Sequence, residues 1–240
     1  MPQTMPMLPD GLRIYAIGDV HGRFDLLEAM AAKIADDLSA SPAERTLEIF
    51  IGDYIDRGPQ SREVVEWLIA TLPLANERIC LLGNHEDLLL QALADPDGLA
   101  NWLFNGGDAT LASYGVTRLP TSREAMWDAC AGAIPPRHQA FLGDLPRTVE
   151  FGSYLFVHAG VDPSRPLNDQ DPQDLVWIRE PFLSAKVDFG RIIVHGHTPV
   201  VEVDIRKNRI NIDTGAVFTG HLTCLVLEGA ARRLLQTPPE

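Results

Sequence analysis

Five short polar segments follow apolar runs in this sequence, and they carry side chains of the types that bind metal ions. The segments are GDVHG, GDYIDRG, GNHE, HAG and HGHT. They supply carboxylates, an amide and imidazoles but no thiolate, a donor set that suits manganese, iron, zinc or magnesium. Carboxylates gathered at one place repel each other unless cations lie between them, so the segments predict a two-metal site.

The elements before these segments place them at one edge of a sheet. The runs LRIYAI, LEIFI and RICLL read as strands, and each precedes an amphipathic helical pattern, the second of which has Ser61 as a predicted N-cap. Three strand-to-helix units predict a parallel sheet, and binding sites in such sheets lie beyond the carboxyl ends of the strands. The runs YLFV and RIIV end in the same way, so five strand ends are expected to converge.

The chain after about Pro146 has a different rhythm. Short strand patterns replace the strand-to-helix units, and they predict a second, mixed sheet. These patterns are RTVEF, YLFVH, RIIVH, VVEVDI, RINID and LTCLVLE. With no low-complexity linker, we expect an α/β fold in one domain over residues 1–240, with its core at about 12–228.

The charge and composition of the chain limit which partners, location and cysteine chemistry are expected. The formal net charge of −13 argues against a nucleic-acid or anionic-membrane surface. The N-terminal segment lacks the pattern of a signal peptide, and no apolar run is long enough to span a bilayer, so a cytoplasmic protein is expected. The cysteines, Cys80, Cys130 and Cys224, are too far apart for a zinc knuckle and predict no disulfide framework.

The five motifs, in this order, resemble the phosphoprotein phosphatase family of metallophosphoesterases, and most of all its short bacterial and phage serine/threonine phosphatases. The resemblance runs from about Ile14 to Leu227, and the stretches NGGDATLASYG and DTGAVFTGHLT share it. It implies two packed mixed sheets flanked by helices, with the site at the strand ends.

The resemblance also implies a ligand set. Asp19 and His21 would bind the first metal, and we expect both to point to one side of an extended DVH segment. Asp53 would bridge both metals. Asn84 and His158 would bind the second, together with the histidine of HGHT that follows glycine, His197, with His195 as the alternative. The implied cofactor is a pair of divalent ions, manganese first, with iron or zinc as alternatives.

The same resemblance implies the catalytic groups. His85 would act as the general acid, oriented by Asp56, and the nucleophile would be a hydroxide bridging the two metals. Arg57 and Arg179 would bind the phosphoryl oxygens with planar guanidinium groups. Glu86 is expected only as a favourable charge at a helix N-terminus.

Three functions fit these residues. The first is hydrolysis of phosphomonoesters, with phosphoserine or phosphothreonine proteins or a small phosphoester as substrate. The second is hydrolysis of dinucleoside polyphosphates such as diadenosine tetraphosphate, although the symmetrical bacterial enzymes of that kind carry glutamine in place of His21. Leu82, at a position where many family members carry arginine, weakens this distinction. The third is an inactive phosphoprotein-binding scaffold, which would be expected to lack a ligand or the acid.

Overall fold

Two five-stranded β-sheets pack face to face in the computed structural model, which describes residues 6–238. In spatial order, the first sheet contains β10 (Ala231–Gln236), β9 (Thr223–Glu228), β1 (Leu12–Ile17), β2 (Arg45–Phe50) and β3 (Glu77–Cys80). The second contains β4 (Thr148–Phe151), β5 (Tyr154–Val157), β6 (Ile192–His195), β8 (Arg209–Asn211) and β7 (Asp204–Ile205). Strands β1, β2 and β3 are parallel to one another, as are β5, β6 and β8.

Helices cover the outer face of the first sheet and the ends of the strands. They are α1 (Phe24–Ala40), α2 (Ser61–Ala70), α3 (Asn84–Ala94), α4 (Leu99–Trp102), α5 (Asp108–Ser113), α6 (Arg123–Ala133), α7 (Pro136–Gly143), α8 (Asp174–Trp177) and α9 (Ala216–Thr219). A 3₁₀ turn at Pro96–Gly98 precedes α4, and a π turn at Leu103–Gly107 joins α4 to α5. None of the helices within residues 6–238 is long and apolar enough to cross a membrane.

The sheets are fixed by apolar side chains on both faces. In β1, Ile14 and Ala16 pack between the two sheets, whereas Tyr15 and Ile17 pack against the helices, and all four are fully buried. Burial of each large aliphatic side chain contributes about 1.5–3 kcal/mol. The continuous apolar runs that a doubly covered parallel sheet requires therefore set where each strand stops and its polar loop begins.

The predicted two-sheet α/β fold is confirmed, but one predicted strand lies in the first sheet and not in the second. The run LTCLVLE forms β9, which pairs antiparallel with β1 in the first sheet, with Ala16 opposite Leu225. Its apolar side chains would suit either sheet, so the pattern alone could not choose between them. The last strand, β10, was not predicted, because its paired arginines obscure the alternation of an edge strand.

Ser61 is not the N-cap of α2. The helix begins at Ser61 itself, with Gln60 in the preceding position, and no side chain caps the helix there. The buried Ser61 hydroxyl instead accepts a hydrogen bond from the backbone N–H of Asp56 (3.1 Å). This contact ties α2 to the loop that follows β2.

Candidate metal centre and active site

The loops after β1, β2, β3, β5 and β6 meet at one end of the two sheets and bring the predicted ligands together. Every one of these side chains is at most 5% exposed, so the cluster lies beneath the surface. The residues are Asp19, His21, Asp53, Asn84, His158 and His197.

Glycines at the strand ends allow these loops to approach so closely. A Cβ atom on Gly83 would lie 2.3 Å from Oδ1 of Asp53, and one on Gly196 would lie 2.1 Å from Oδ1 of Asp19. Neither distance is tolerable for a carbon atom, so any larger residue would push a carboxylate away from the cluster.

One group of potential metal ligands consists of His21, Asp53 and His85, whose ligand atoms lie within 4.8 Å of one another. Nδ1 of His21 lies 2.9 Å from the carbonyl oxygen of Ile55, which fixes the ring and leaves Nε2 facing the cluster. That nitrogen is 3.4 Å from Oδ2 of Asp53. A carbonyl behind the distal ring nitrogen is the usual support of a metal-binding histidine.

A second group consists of Asp53, His158 and His197 within the same limit. Oδ1 of Asn84 lies 2.9 Å from Nε2 of His158 and 2.8 Å from Nδ1 of His197. His158 is held from behind by the carbonyl oxygen of Ile51, 3.0 Å from Nδ1. Asp53 is thus shared by both groups, which is the position that a bridging carboxylate requires.

Asp19 stands beside both groups. Its Oδ2 accepts the backbone N–H of His197 (3.0 Å), and the pKa of its carboxyl is raised well above the usual value by burial and by the charges of Asp213 and Asp53. Burial also raises the pKa of Asp213 to about 6, with Asp53 contributing. Crowded buried carboxylates of this kind are relieved by cations.

Unsatisfied atoms give a direct test of whether metal ions fit. Oδ1 of Asp19 and Nε2 of both His85 and His197 are buried and have no hydrogen-bond partner among residues 6–238. Buried polar atoms are normally paired, and unpaired ones at a ligand cluster are what a missing ion would leave. The donor set and the orphaned atoms of Asp19 and His197 therefore fit divalent cations.

The histidines divide into two electrostatic classes. Burial lowers the pKa of His21 to about 3 and that of His197 to about 2, and it also lowers the pKa of His158. These rings are neutral and offer the lone pair that a metal requires. For His85, burial opposes the charged form, but the charge of Asp53 and the hydrogen bond to Asp56 outweigh it and raise the pKa. Among these four rings, His85 is therefore the one whose protonated form its surroundings favour.

His85 and Asp56 form a buried pair. Nδ1 of His85 lies 2.7 Å from Oδ2 of Asp56, and both side chains are fully buried. Nε2 of His85 points into the cluster and lies 3.9 Å from Oδ2 of Asp53. The carboxylate thus fixes the ring from behind, while the other nitrogen faces the place where a reacting group would sit.

The two arginines lie at the rim. Nη1 of Arg57 lies 2.9 Å from Nε2 of His21, and its guanidinium carbon is 5.9 Å from the centroid of the Phe218 ring. Arg179 is exposed. Burial is the largest cause of the lowered pKa values of His158 and His197, and the positive charge of Arg179 is one of the smaller causes. Both guanidinium groups are therefore near the cluster, and that of Arg57 contacts it through His21.

One expectation about this site needs correction, and the alternative ligand lies outside it. The DVH segment is not extended, because His21 has a left-handed backbone (φ 45°), so the turn rather than strand alternation directs its ring. His195 lies outside the cluster: its ring packs against Phe182 at 5.0 Å, and its Nε2 is 3.4 Å from Nη1 of Arg209.

Glu86 does more than supply a helix charge. It lies in the first turn of α3, as expected, but it is fully buried. Its carboxylate accepts the backbone N–H of Gly83 (3.0 Å), Asp53 (2.8 Å) and Tyr54 (2.8 Å), and so it joins the loops after β2 and β3. The only sequence signal for this role is the place of Glu86 in GNHE, and the only signal for Asp213 is its place in DTGAVFTGHLT.

Glu86→Ala should destabilise the protein, because four buried backbone amides, the three above and that of Ile55 (3.3 Å), would lose this acceptor. We expect the free energy of unfolding to fall by at least about 3 kcal/mol, measured by urea denaturation of the metal-free protein. Glu63→Ala, at an exposed position in the first turn of α2, is the matched control and should change stability by less than about 0.5 kcal/mol. Similar stabilities for the two variants would contradict this role of Glu86.

Comparisons with known proteins agree with this geometry. Residues 12–224 match the calcineurin-like phosphoesterase family. The bis(5'-nucleosyl)-tetraphosphatase PrpE [asymmetrical] of Anoxybacillus flavithermus is 30% identical over 226 residues, covering 87% of this chain and 88% of that protein. Serine/threonine-protein phosphatase 1 of Salmonella typhimurium is 30% identical over 217 residues, covering 88% and 89%. Among solved structures, a candidate diadenosine tetraphosphatase is 19% identical, with a TM-score of 0.67 and coverage of 99% of this chain and 96% of that chain.

The family match runs from β1 to the start of β9 and includes all five motif loops, and both of these relatives hydrolyse phosphorus–oxygen bonds by name. The chain therefore belongs to the calcineurin-like phosphoesterase family and is a metallophosphoesterase, a hydrolase of the dinuclear metal-dependent kind.

Proposed function

We propose that this chain, working as a single catalytic domain, hydrolyses phosphomonoesters of serine and threonine in proteins. The observation that carries the proposal is the buried Asp56–His85 pair, whose free Nε2 faces the ligand cluster. A serine or threonine alkoxide is a strong base that must receive a proton as it leaves, whereas a departing nucleotide is a weak base that does not. A proton donor held in place by a buried carboxylate, as His85 is by Asp56, therefore benefits most an enzyme that cleaves alkyl phosphates.

The two ions would be held by the residues that the loops bring together. Asp19, His21 and Asp53 would hold the first, and Asp53 would also bridge to the second, which is a role that its two oxygens allow. Asn84, His158 and His197 would complete the second site. We propose manganese, which suits this mixture of oxygen and imidazole donors. When bound, the ions supply a water molecule of lowered pKa as the nucleophile and neutralise charge on the phosphoryl group.

Phosphate binding is assigned to the arginines. Arg57 touches the cluster through His21, so its planar guanidinium is placed to donate two parallel hydrogen bonds to phosphoryl oxygens. Arg179, whose positive charge acts on His158 and His197, would contribute a second guanidinium from its exposed position. His85 would then deliver its proton from Nε2 to the leaving oxygen, while Asp56 holds the ring.

The test is a direct comparison of substrates. Metal-free protein is titrated with manganese, zinc and magnesium, and phosphate release is measured from a phosphoserine peptide and from diadenosine tetraphosphate. We expect manganese-dependent release from the peptide and little cleavage of the dinucleotide. Cleavage of the dinucleotide with an inert peptide would replace the proposal with the second function below, and two bound ions without any turnover would indicate a binding scaffold.

The second candidate function is hydrolysis of dinucleoside tetraphosphates. One relative at 30% identity is named as an asymmetrical tetraphosphatase, and the histidine at position 21 argues only against the symmetrical type. The ring of Phe218 is 69% exposed beside Arg57, where a nucleobase next to a bound phosphate could stack on it.

Phe218→Leu separates these two functions. If a nucleobase stacks on this ring, the variant should lose about tenfold in kcat/KM for diadenosine tetraphosphate, because base–aromatic stacking contributes about 1–3 kcal/mol. We expect instead that kcat/KM for the phosphoserine peptide stays nearly unchanged, because this substrate has no base to stack, and that the low kcat/KM for the dinucleotide is also unchanged, because its base does not bind on this ring. The ratio of kcat/KM for the two substrates, measured on the same preparation, provides an internal control for folding.

A further inference from the structure

The two residues that precede the glycine in GDYIDRG have an uncommon backbone. Asp56 (φ 71°) and Arg57 (φ 69°) both lie in the left-handed region, which aspartate adopts more readily than most residues but which is unfavourable for arginine. Two such residues in succession persist only where their surroundings fix them from several sides. The contacts of this dipeptide therefore show what positions the proposed acid and the proposed phosphate ligand.

Four hydrogen bonds of Asp56 come from two residues of one segment. Nε1 of Trp102 donates to both carboxylate oxygens, at 3.1 Å to Oδ1 and 3.0 Å to Oδ2. The Thr110 hydroxyl donates to Oδ1 (2.6 Å) and also accepts the backbone N–H of Asp56 (2.8 Å). All three side chains are fully buried, so water does not compete for these bonds.

The same segment holds Arg57. The backbone N–H of Arg57 donates to the carbonyl oxygen of Gly106 (3.1 Å), a residue with φ 103° inside the π turn. Gly107 is needed next to it, because a Cβ atom there would lie 2.5 Å from the indole ring of Trp102. The NGG stretch thus bends the chain so that the carbonyl meets Arg57 and the indole meets Asp56.

We propose that Trp102 and Thr110 are positioning residues for the leaving-group proton donor. They hold the Asp56 carboxylate in the one orientation in which Oδ2 meets Nδ1 of His85, and through it they hold the imidazole with Nε2 toward the substrate. The helical segment from Trp102 to Thr110 is therefore part of the reaction centre, although none of its side chains reaches the ligand cluster. This inference rests on the proposed role of His85.

The first test removes the two donors one at a time. Trp102→Phe keeps an aromatic ring in the cavity but loses the N–H, and Thr110→Val keeps the shape but loses the hydroxyl. Because hydrogen bonds to a buried charge are strong, we expect kcat for a phosphoserine peptide to fall by about 10- to 100-fold in each variant, with KM little changed. With p-nitrophenyl phosphate, whose leaving group needs no proton, the loss should be much smaller.

Matched controls separate positioning from general damage. Trp127→Phe removes another indole N–H that donates inside the protein, to the carbonyl oxygen of Ala92 (2.9 Å), and it should leave kcat for both substrates nearly unchanged. Thr110→Ser retains the hydroxyl and should restore most of the activity that Thr110→Val loses. Bound metal, measured by elemental analysis, should stay at two ions per chain in all four variants.

A second readout does not depend on turnover. In the magnesium- or zinc-loaded protein, the proton between Nδ1 of His85 and Asp56 should give a low-field ¹H NMR signal. We expect Trp102→Phe and Thr110→Val to shift or broaden this signal and Trp127→Phe to leave it unchanged. If the unmodified protein hydrolyses no phosphoester, the proposed function fails, but this signal still reports on positioning. An unmoved signal, or equal losses of kcat on both substrates, would overturn the inference.

Discussion

His85→Asn is expected to lower kcat for a phosphoserine peptide by about 10²- to 10⁴-fold, the usual contribution of a positioned general acid. Asparagine retains an amide that can donate to Asp56, but it has no group at the position of Nε2, the buried nitrogen that faces the cluster. For p-nitrophenyl phosphate the loss should stay below about tenfold, because that leaving group departs without a proton. The measurement is kcat across a series of aryl and alkyl phosphates of rising leaving-group pKa.

The metal content of this variant decides between two roles for the ring. His85 lies in one of the two ligand groups, with His21 and Asp53, so it could instead bind an ion. If it acts as the acid, His85→Asn should retain two ions per chain and show a steeper dependence of rate on the leaving group. Loss of one ion together with equal losses on all esters would reassign His85 as a ligand. His221→Asn, which changes a histidine outside the cluster, is the matched control.

The positions of the predicted ligands could be predicted from the sequence because they depend on local rules. An apolar run that ends at a glycine sets the end of a parallel strand, and residues such as Asp53 and Asn84 follow it directly. Once the strands are parallel neighbours, their loops must meet. The convergence of the loops after β1, β2 and β3 is therefore a consequence of strand order, which the sequence contains through its repeated strand-to-helix units, whereas the loops after β5 and β6 join them because the second sheet packs against the first.

The hydrogen bonds that hold the site residues in place could not be predicted, because they join segments that are distant in the sequence. Trp102 and Thr110 lie 46 and 54 residues from Asp56, and their helical pattern shows only that they are buried. Glu86 likewise looks like an ordinary residue of a first helical turn, although it accepts amides from a loop 32 and 33 residues earlier. The left-handed turn at His21 could not be predicted for the same reason. It depends on a contact with a distant loop, in which the backbone N–H of Gly22 donates to the carbonyl oxygen of Tyr54.

Asp53→Asn is expected to weaken both metal sites at once, because Asp53 is the residue common to the two ligand groups. Asparagine offers one oxygen in place of two and carries no charge, so we expect each ion to bind at least about 100-fold more weakly. The fold should persist. Asp53 has φ 54°, a region that asparagine tolerates well, and the amide oxygen can still accept the N–H of His85, which now lies 3.1 Å from Oδ1.

Thermal unfolding with and without manganese measures this effect without any substrate. At a free manganese concentration about 100 times the dissociation constant of the unmodified protein, one bound ion should stabilise that protein by about 2.7 kcal/mol. A site weakened about 100-fold would gain only about 0.4 kcal/mol at the same concentration. The measure is the gain on adding manganese within each protein, because removal of the Asp53 charge also changes the stability of the metal-free protein: burial opposes ionisation of this carboxyl, but the nearby histidines lower its pKa, so its charge favours the folded state.

The number of metal sites that lose their ion distinguishes a carboxylate that bridges two ions from one that binds a single ion. A bridging Asp53 predicts that neither site is filled at the concentration that saturates the unmodified protein, whereas His21→Ala should empty the first site more than the second. Asp144→Asn, at an exposed position after α7, should bind two ions normally. If Asp53→Asn retains one tight ion, the shared carboxylate serves a single metal, and the second ion depends on Asn84, His158 and His197 without a bridge.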